Sequence, residues 1–129
     1  NRSQVVKTAS NTIICDSYNA NPVSMANAIT AFASLPDKGK VCILGVMLEL
    51  GPSAGDEHNR IMKLVKDRGL KDCITVGPVF SEIASLYGYQ TFDNVVDLVK
   101  HLSVSPIRGK TILVKGSRAM RLEEAYSVL

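Results

Sequence analysis

Val41-Cys42-Ile43-Leu44-Gly45-Val46 is an almost uninterrupted apolar run. A strand with one face in water alternates apolar and polar residues. A run without alternation marks a strand covered on both faces, the usual state of a parallel sheet between layers of helices. The sequence on either side supplies such helices. Upstream, Met25, Ala28, Ile29, Phe32 and Leu35 recur on one face of a helix predicted from about Pro22 to Leu35. Asn21 is a good N-cap for it and Pro22 a good first residue, and Pro36-Asp37-Lys38-Gly39 ends it. Downstream, past a glycine-bearing loop from Gly51 to Gly55, Ile61, Met62 and Val65 mark a second helix to about Arg68.

Farther out the alternation continues. Cys73 to Val76 reads as a short strand ending at Gly77-Pro78, followed by a helix from Phe80 to Tyr87, a strand from Gln90 to Phe92 and a helix from Val95 to Leu102. Thr111 to Val114 is the last apolar strand, and Met120 to Leu129 is predicted as the last helix. At the other end, Gln4 to Lys7 and Thr12 to Asp16 read as a hairpin across Ala9-Ser10-Asn11, placed at the sheet edge. Strands and helices joined by short connections call for one α/β domain with a mostly parallel sheet, helices on both faces and an antiparallel edge hairpin.

Composition agrees with one domain. The chain has 129 residues, 46% hydrophobic and 21% charged, which excludes disorder and collagen-like repeats. Its net charge of +3 neither supplies nor excludes a concentrated basic face, and no nucleic-acid partner is expected. Cys15, Cys42 and Cys73 lie in apolar runs without a CxxC pair, so buried free thiols in a reducing cytoplasm are expected. No apolar stretch reaches the length of a membrane span, and Asn1-Arg2-Ser3-Gln4 is no signal peptide. The chain does not open on methionine, and a domain of a longer protein or a processed product is expected.

Ligands of open α/β sheets bind beyond the carboxyl ends of the strands. Here those ends are Asp16-Ser17-Tyr18-Asn19-Ala20-Asn21-Pro22, Met47-Leu48-Glu49-Leu50-Gly51, Gly77-Pro78 and Lys115-Gly116-Ser117-Arg118. The first offers a carboxylate, two hydroxyls and two carboxamides before a helix N-terminus, where free amides favour a phosphate or carboxylate. Asn21 has an alternative there as a simple helix cap. Lys115-Gly116-Ser117-Arg118 places two cations and a hydroxyl round a glycine and suits an anion, with Arg118 able to hold a carboxylate in bidentate fashion. A solvated positive turn is the alternative. Glu49 can orient a ligand ammonium or pair with Lys115 or Arg118.

Other motifs carry less. His58 and His101 have no partner at metal-ligand spacing and read as surface residues, so no metal site is expected. Arg108-Gly109-Lys110-Thr111 contains a GKT, but the glycine a phosphate loop needs is replaced by Val104, and a strand follows. Neither a GxGxxG fingerprint nor a GxSxG elbow is present. The residues describe an anion-friendly, amide-rich edge without a self-contained catalytic machinery, so no catalytic residue is assigned.

At family level these segments are specific. Asp16-Ser17-Tyr18-Asn19-Ala20-Asn21-Pro22 with Ser24-Met25, Leu44-Gly45-Val46-Met47-Leu48-Glu49-Leu50-Gly51, and Val114-Lys115-Gly116-Ser117-Arg118 together resemble, in matching order, the C-terminal domain of the Mur ligase family, in its D-alanyl-D-alanine-adding (MurF) branch. Val46 departs from the pattern, in which an aspartate is common. The helix bearing His58 sits where the family often has a histidine.

The resemblance implies a Rossmann-like three-layer domain, residues 1–129, cut from a three-domain cytoplasmic ligase of peptidoglycan synthesis. Its partners would be the N-terminal and central domains of the same chain, and its substrates ATP, UDP-N-acetylmuramoyl-tripeptide and D-Ala-D-Ala, with Mg2+ held mainly by the central domain. It implies that Arg2, Asp16, Tyr18, Asn19 and Asn21 approach the nucleotide, and that Lys115, Ser117 and Arg118, helped by Glu49, grip the incoming dipeptide. The alternatives are another ATP-dependent amino-acid ligase of the superfamily (the meso-diaminopimelate-adding, cyanophycin or folylpolyglutamate type) and a non-enzymatic nucleotide- or peptide-binding domain.

Overall fold

The computed structural model describes residues 3–16 and 19–129. In chain order its elements are β1 (Gln4–Lys7), β2 (Thr12–Cys15), α1 (Pro22–Ala33), β3 (Lys40–Gly45), α2 (Ala54–Asp67), β4 (Asp72–Val76), α3 (Pro78–Leu86), β5 (Gln90–Phe92), α4 (Val95–Val104) and β6 (Thr111–Lys115). Short 3-10 turns cover Gly51–Ser53, Arg118–Met120 and Leu122–Val128.

The six strands form one sheet in the order β1-β2-β6-β3-β4-β5. Only the β1–β2 hairpin is antiparallel; β2–β6, β6–β3, β3–β4 and β4–β5 are parallel. The apolar run around Cys42 is buried on both sides, as expected for an interior strand. Cys42 and Leu44 face Met25, Ile29 and Phe32 of α1, Ile61, Met62 and Val65 of α2, and Phe80 of α3. Val41 and Ile43 face the other layer, with Leu98 and Leu102 of α4 and Leu122 and Ala125 of the C-terminal turn. The three-layer α/β fold with an edge hairpin is therefore the one expected. All three cysteines are buried free thiols, and among the described residues no helix is long and apolar enough to cross a membrane.

Two element boundaries differ from expectation for identifiable reasons. Helix α1 stops at Ala33 ahead of Pro36, which has no N–H to continue the ladder, and the Lys40 ammonium donates to the carbonyls of Ala33 and Leu35, both at 2.7 Å, satisfying acceptors at the helix end. The helix expected over Met120 to Leu129 is replaced by 3-10 turns. Arg121 sits between them at φ 55°, a left-handed conformation that no α-helix accommodates. Beyond it, Glu124 donates to Arg121 and Leu129 to Tyr126, three residues back in each case. The buried Leu122 and Ala125, also three apart, fit that tighter winding.

Asn11 fastens this tail to the hairpin. Its buried Nδ2 donates to the carbonyls of Leu129 (2.6 Å) and Ile107 (2.8 Å), while its Oδ1 accepts from the Lys110 amide at 3.0 Å. Both amide hydrogens and one lone pair of the side-chain oxygen are thus used.

Candidate functional site

The sheet order places all four strand ends that sequence reasoning singled out side by side, and the three rich in polar residues are consecutive. Strands β2, β6 and β3 are neighbours, so Asp16, Lys115 and Val46 emerge side by side at their carboxyl ends. From β2 and β3 the chain passes to α1 and α2 on one face; from β6 it passes to the Leu122–Val128 turn on the other. Such a parting of connections opens the crevice in which α/β sheets bind ligands. Backbone contact across it is close: a Cβ on Gly116 would lie 2.6 Å from the Cα of Gly45. The glycines at the ends of β3 and β6 are thus what lets the two loops touch.

On the α1 side, Lys115 and Asp16 follow directly after the paired residues Val114 and Cys15. The Lys115 side chain is 1% exposed, and its Nζ lies 3.1 Å from Asp16 Oδ2 and 3.1 Å from the carbonyl oxygen of Asn19. The ammonium expected to face an incoming anion is therefore turned inward, where it ties the Asp16–Asn21 loop to the Lys115–Arg118 loop. Asn19 is exposed, and its Oδ1 accepts from the Ala20 amide at 3.0 Å. Asn21 caps α1: its Oδ1 accepts from the Ser24 amide at 2.9 Å, and Ser24 Oγ accepts from the Asn21 amide at 3.1 Å. A groove of about 420 Å3 runs from Asp16 and Ser24 along Asn27 to Leu35. Arg2 and Tyr18, the other two residues of the expected nucleotide-side set, lie outside the described residues.

The second and third loops are joined by Ser117, which is buried. Its amide donates to the Val46 carbonyl at 3.1 Å, and its Oγ accepts from the Leu48 amide at 2.9 Å. Val46, where the family pattern often has an aspartate, is an apolar buried residue here. Its amide continues the sheet by donating to Val76 at 3.0 Å. Glu49 follows at φ 64°, an uncommon conformation for a residue with a Cβ, and is exposed. Lys115, one of the cations weighed as its partner, belongs to Asp16 instead. Arg118 is exposed at the start of the Arg118–Met120 turn.

His58, expected on the surface, is fully buried. The Met47 amide donates to its Nε2 at 2.9 Å, so the proton resides on Nδ1, which donates to the Ala54 carbonyl at 2.7 Å. Phe80 meets the imidazole edge-on, with ring centroids 4.6 Å apart. Burial pushes the His58 pKa below its usual value, against smaller opposing effects of the Ala54 carbonyl and the Glu57 charge. A signal was present in the sequence: His58, Ile61, Met62 and Val65 fall on one helical stripe, and all four are buried. His101 is half-buried beside Phe92.

Among the described residues, no three His, Cys, Asp or Glu side chains converge as metal ligands would. What the site offers is one buried ion pair, a rim of amides and carboxamides before α1, and the exposed Glu49 and Arg118 on loops that are fastened to one another. Such a surface can bind and orient polar, anionic groups.

Comparison with known proteins supplies the relatives. A family model described as Mur ligase, glutamate ligase domain, matches residues 1–118. The UDP-N-acetylmuramoyl-tripeptide–D-alanyl-D-alanine ligase of Treponema pallidum is 35% identical over 136 aligned positions, covering 99% of this chain and 29% of that protein. Crystal structures of MurF from Acinetobacter baumannii (TM-score 0.79) and of MurF ligase from Thermotoga maritima in complex with ADP (TM-score 0.72) are each 25% identical. Each alignment covers 96% of this chain and 29% of the solved one. The chain thus spans about three tenths of the length of the relatives it matches. With the family model covering residues 1–118 and the fold in agreement, the chain belongs to the Mur ligase family, as its glutamate ligase domain.

Proposed function

We propose that residues 1–129 form the C-terminal domain of a three-domain, ATP-dependent ligase that joins D-Ala-D-Ala to UDP-N-acetylmuramoyl-tripeptide in the cytoplasm. The observation that carries this reading is the mutual fastening of the three matching loops through Lys115–Asp16 and Ser117–Leu48 at the crevice between β2, β6 and β3. The relative from T. pallidum bears this activity in its name, and the T. maritima structure holds ADP, which supports ATP as a substrate and favours this branch over the other amino-acid ligases and over a non-enzymatic domain.

In the proposed reaction the tripeptide carboxylate takes the γ-phosphoryl group of ATP to give an acyl phosphate, with ADP as the leaving group. The amine of D-Ala-D-Ala attacks the acyl carbon, a peptide bond forms, and phosphate leaves. This chain's part is positioning. Asp16, Asn19 and Asn21 would approach the nucleotide, a role the resemblance also implies for Arg2 and Tyr18; Lys115 ties the Asp16–Asn21 loop from within. Arg118 and Glu49 present a cation and an anion suited to the carboxylate and ammonium of a zwitterionic dipeptide, and Ser117 fixes the loop between them. Mg2+ would be held mainly by the central domain, where it would neutralise charge on the phosphates. Phosphoryl transfer relies on positioned charge from several elements, so the domain alone is inactive and completes the site by closing on the central domain.

Phosphate release by the full-length protein, given ATP, magnesium and UDP-muramoyl-tripeptide with and without D-Ala-D-Ala, tests the reading. Release that depends on the dipeptide, with pentapeptide product seen by mass, is the expected result; release indifferent to the dipeptide discards the substrate assignment.

A further inference from the structure

Two consecutive backbone amides at the start of the second loop are each held by a buried side chain from a different part of the chain. Met47 donates to His58 Nε2 from α2 at 2.9 Å, and Leu48 donates to Ser117 Oγ at 2.9 Å. The next residue, Glu49, sits at φ 64°, a conformation that costs an L-residue about 1 kcal/mol and persists only where its surroundings impose it. His58 is itself held on both ring nitrogens and by the edge of Phe80, so its imidazole acts as a fixed acceptor rather than a mobile one. The Met47 side chain is buried as well, which anchors the loop's entry while Leu48 and Glu49 stay exposed.

We propose that His58 is a positioning residue: by accepting the Met47 amide it sets the path of the Met47–Gly51 loop and thereby places Glu49 beside Arg118's loop for the incoming dipeptide. The placement of the loop stands on the hydrogen bonds alone; its effect on the dipeptide rests on the function proposed above. A side chain that accepts at the Nε2 position suffices for this role, and glutamine supplies one through its amide oxygen.

The test uses the full-length protein carrying His58→Gln or His58→Leu. Hydrogen exchange is followed by mass spectrometry in peptides covering 46–50 and, as a reference, 22–33 in α1. His58→Leu is expected to speed exchange of the Met47 and Leu48 amides by about tenfold, the loss of one buried hydrogen bond, with α1 unchanged; His58→Gln keeps them slow. In the ligation assay the leucine variant raises the KM for D-Ala-D-Ala more than that for ATP, and glutamine restores most of it. Unchanged exchange at 46–50 in both variants overturns the proposal. So does loosening spread equally over α1 and the loop, because that is the mark of a core-packing residue. Faster exchange confined to the loop, in a protein whose wild type shows no dipeptide-dependent ligation, keeps the positioning role and rejects the substrate reading instead.

Discussion

The Lys115 ammonium and the Asp16 carboxylate are 3.1 Å apart at the carboxyl ends of two adjacent parallel strands, with the lysine almost entirely out of solvent. Removing one partner leaves the other charge poorly solvated, and breaking such a pair costs about 3 kcal/mol. Lys115→Ala is therefore expected to lower the stability measured by urea unfolding by about that amount. The double variant Lys115→Met with Asp16→Asn recovers a large part of it. A double variant as unstable as the sum of the single ones would show that the two charges do not depend on each other.

Gly116 and Gly55 make a contrasting pair. A Cβ on Gly116 meets backbone atoms of Gly45 at 2.6 and 2.9 Å, which rotamer changes cannot relieve. Gly116→Ala should cost about 2–3 kcal/mol through displacement of the β3 and β6 ends. At Gly55, in the first turn of α2, an alanine methyl would meet nothing within 4 Å. Gly55→Ala should leave stability unchanged or raise it by about 0.5 kcal/mol, through lower entropy of the unfolded chain. Thermal unfolding of both variants checks the pair.

Asn21 has a structural duty that must be separated from nucleotide binding. Asn21→Ala removes the cap of α1 and is expected to cost about 1 kcal/mol, whereas Asn21→Ser keeps a capping oxygen. If Asn21 also approaches ATP, the KM for ATP stays raised in the serine variant of the full-length enzyme even though its stability returns. Recovery of both quantities with serine would leave Asn21 as a cap alone.

Arg118→Ala in the full-length enzyme is expected to raise the KM for D-Ala-D-Ala about tenfold, the loss of one charge-assisted contact, and to move the KM for ATP much less. An unchanged dipeptide KM would remove Arg118 from the substrate site.

Acid should weaken the fold partly through His58. Its pKa in the folded protein is below the ordinary 6.5, so the unfolded chain binds more protons as the pH falls through 6.5. The stability of the neutral, doubly bonded imidazole is present above that pH and is lost progressively as the pH drops toward the lower folded value. Urea midpoints compared at about pH 7.5 and pH 5.5 should fall less in His58→Gln than in the wild type. Equal falls would mean that other groups carry the whole effect.

Much of this architecture was legible because the physics is local. The uniform burial of the run from Val41 to Val46, the apolar stripe of α1 and the cap at Asn21 all follow from neighbouring residues. The convergence of the three loops was legible only through the general rule for strand ends. Which strands would be neighbours depends on β6 entering between β2 and β3, a long-range choice that no local pattern encodes. His58 was misread because a polar residue near a helix start was weighed by type, although its place on the stripe with Ile61 and Val65 pointed inward. The inward turn of Lys115 was hidden for a related reason: only the tertiary pairing with Asp16 makes a buried ammonium tolerable. The final helix failed at Arg121, whose left-handed backbone no residue preference announces.

The strand at the middle of the sheet is also the last of the six to be synthesised. Until residues 111–115 leave the ribosome, β2 and β3 share no neighbour, so the hairpin and the β3-β4-β5 block are separate pieces. Both pieces of sheet keep an open strand edge until β6 joins them and Asn11 secures the tail at Leu129. Chains terminated within α4 would therefore not yield a weakened domain. They would yield two half-sheets with bare inner edges, prone to pair with other copies and destined for aggregation or degradation.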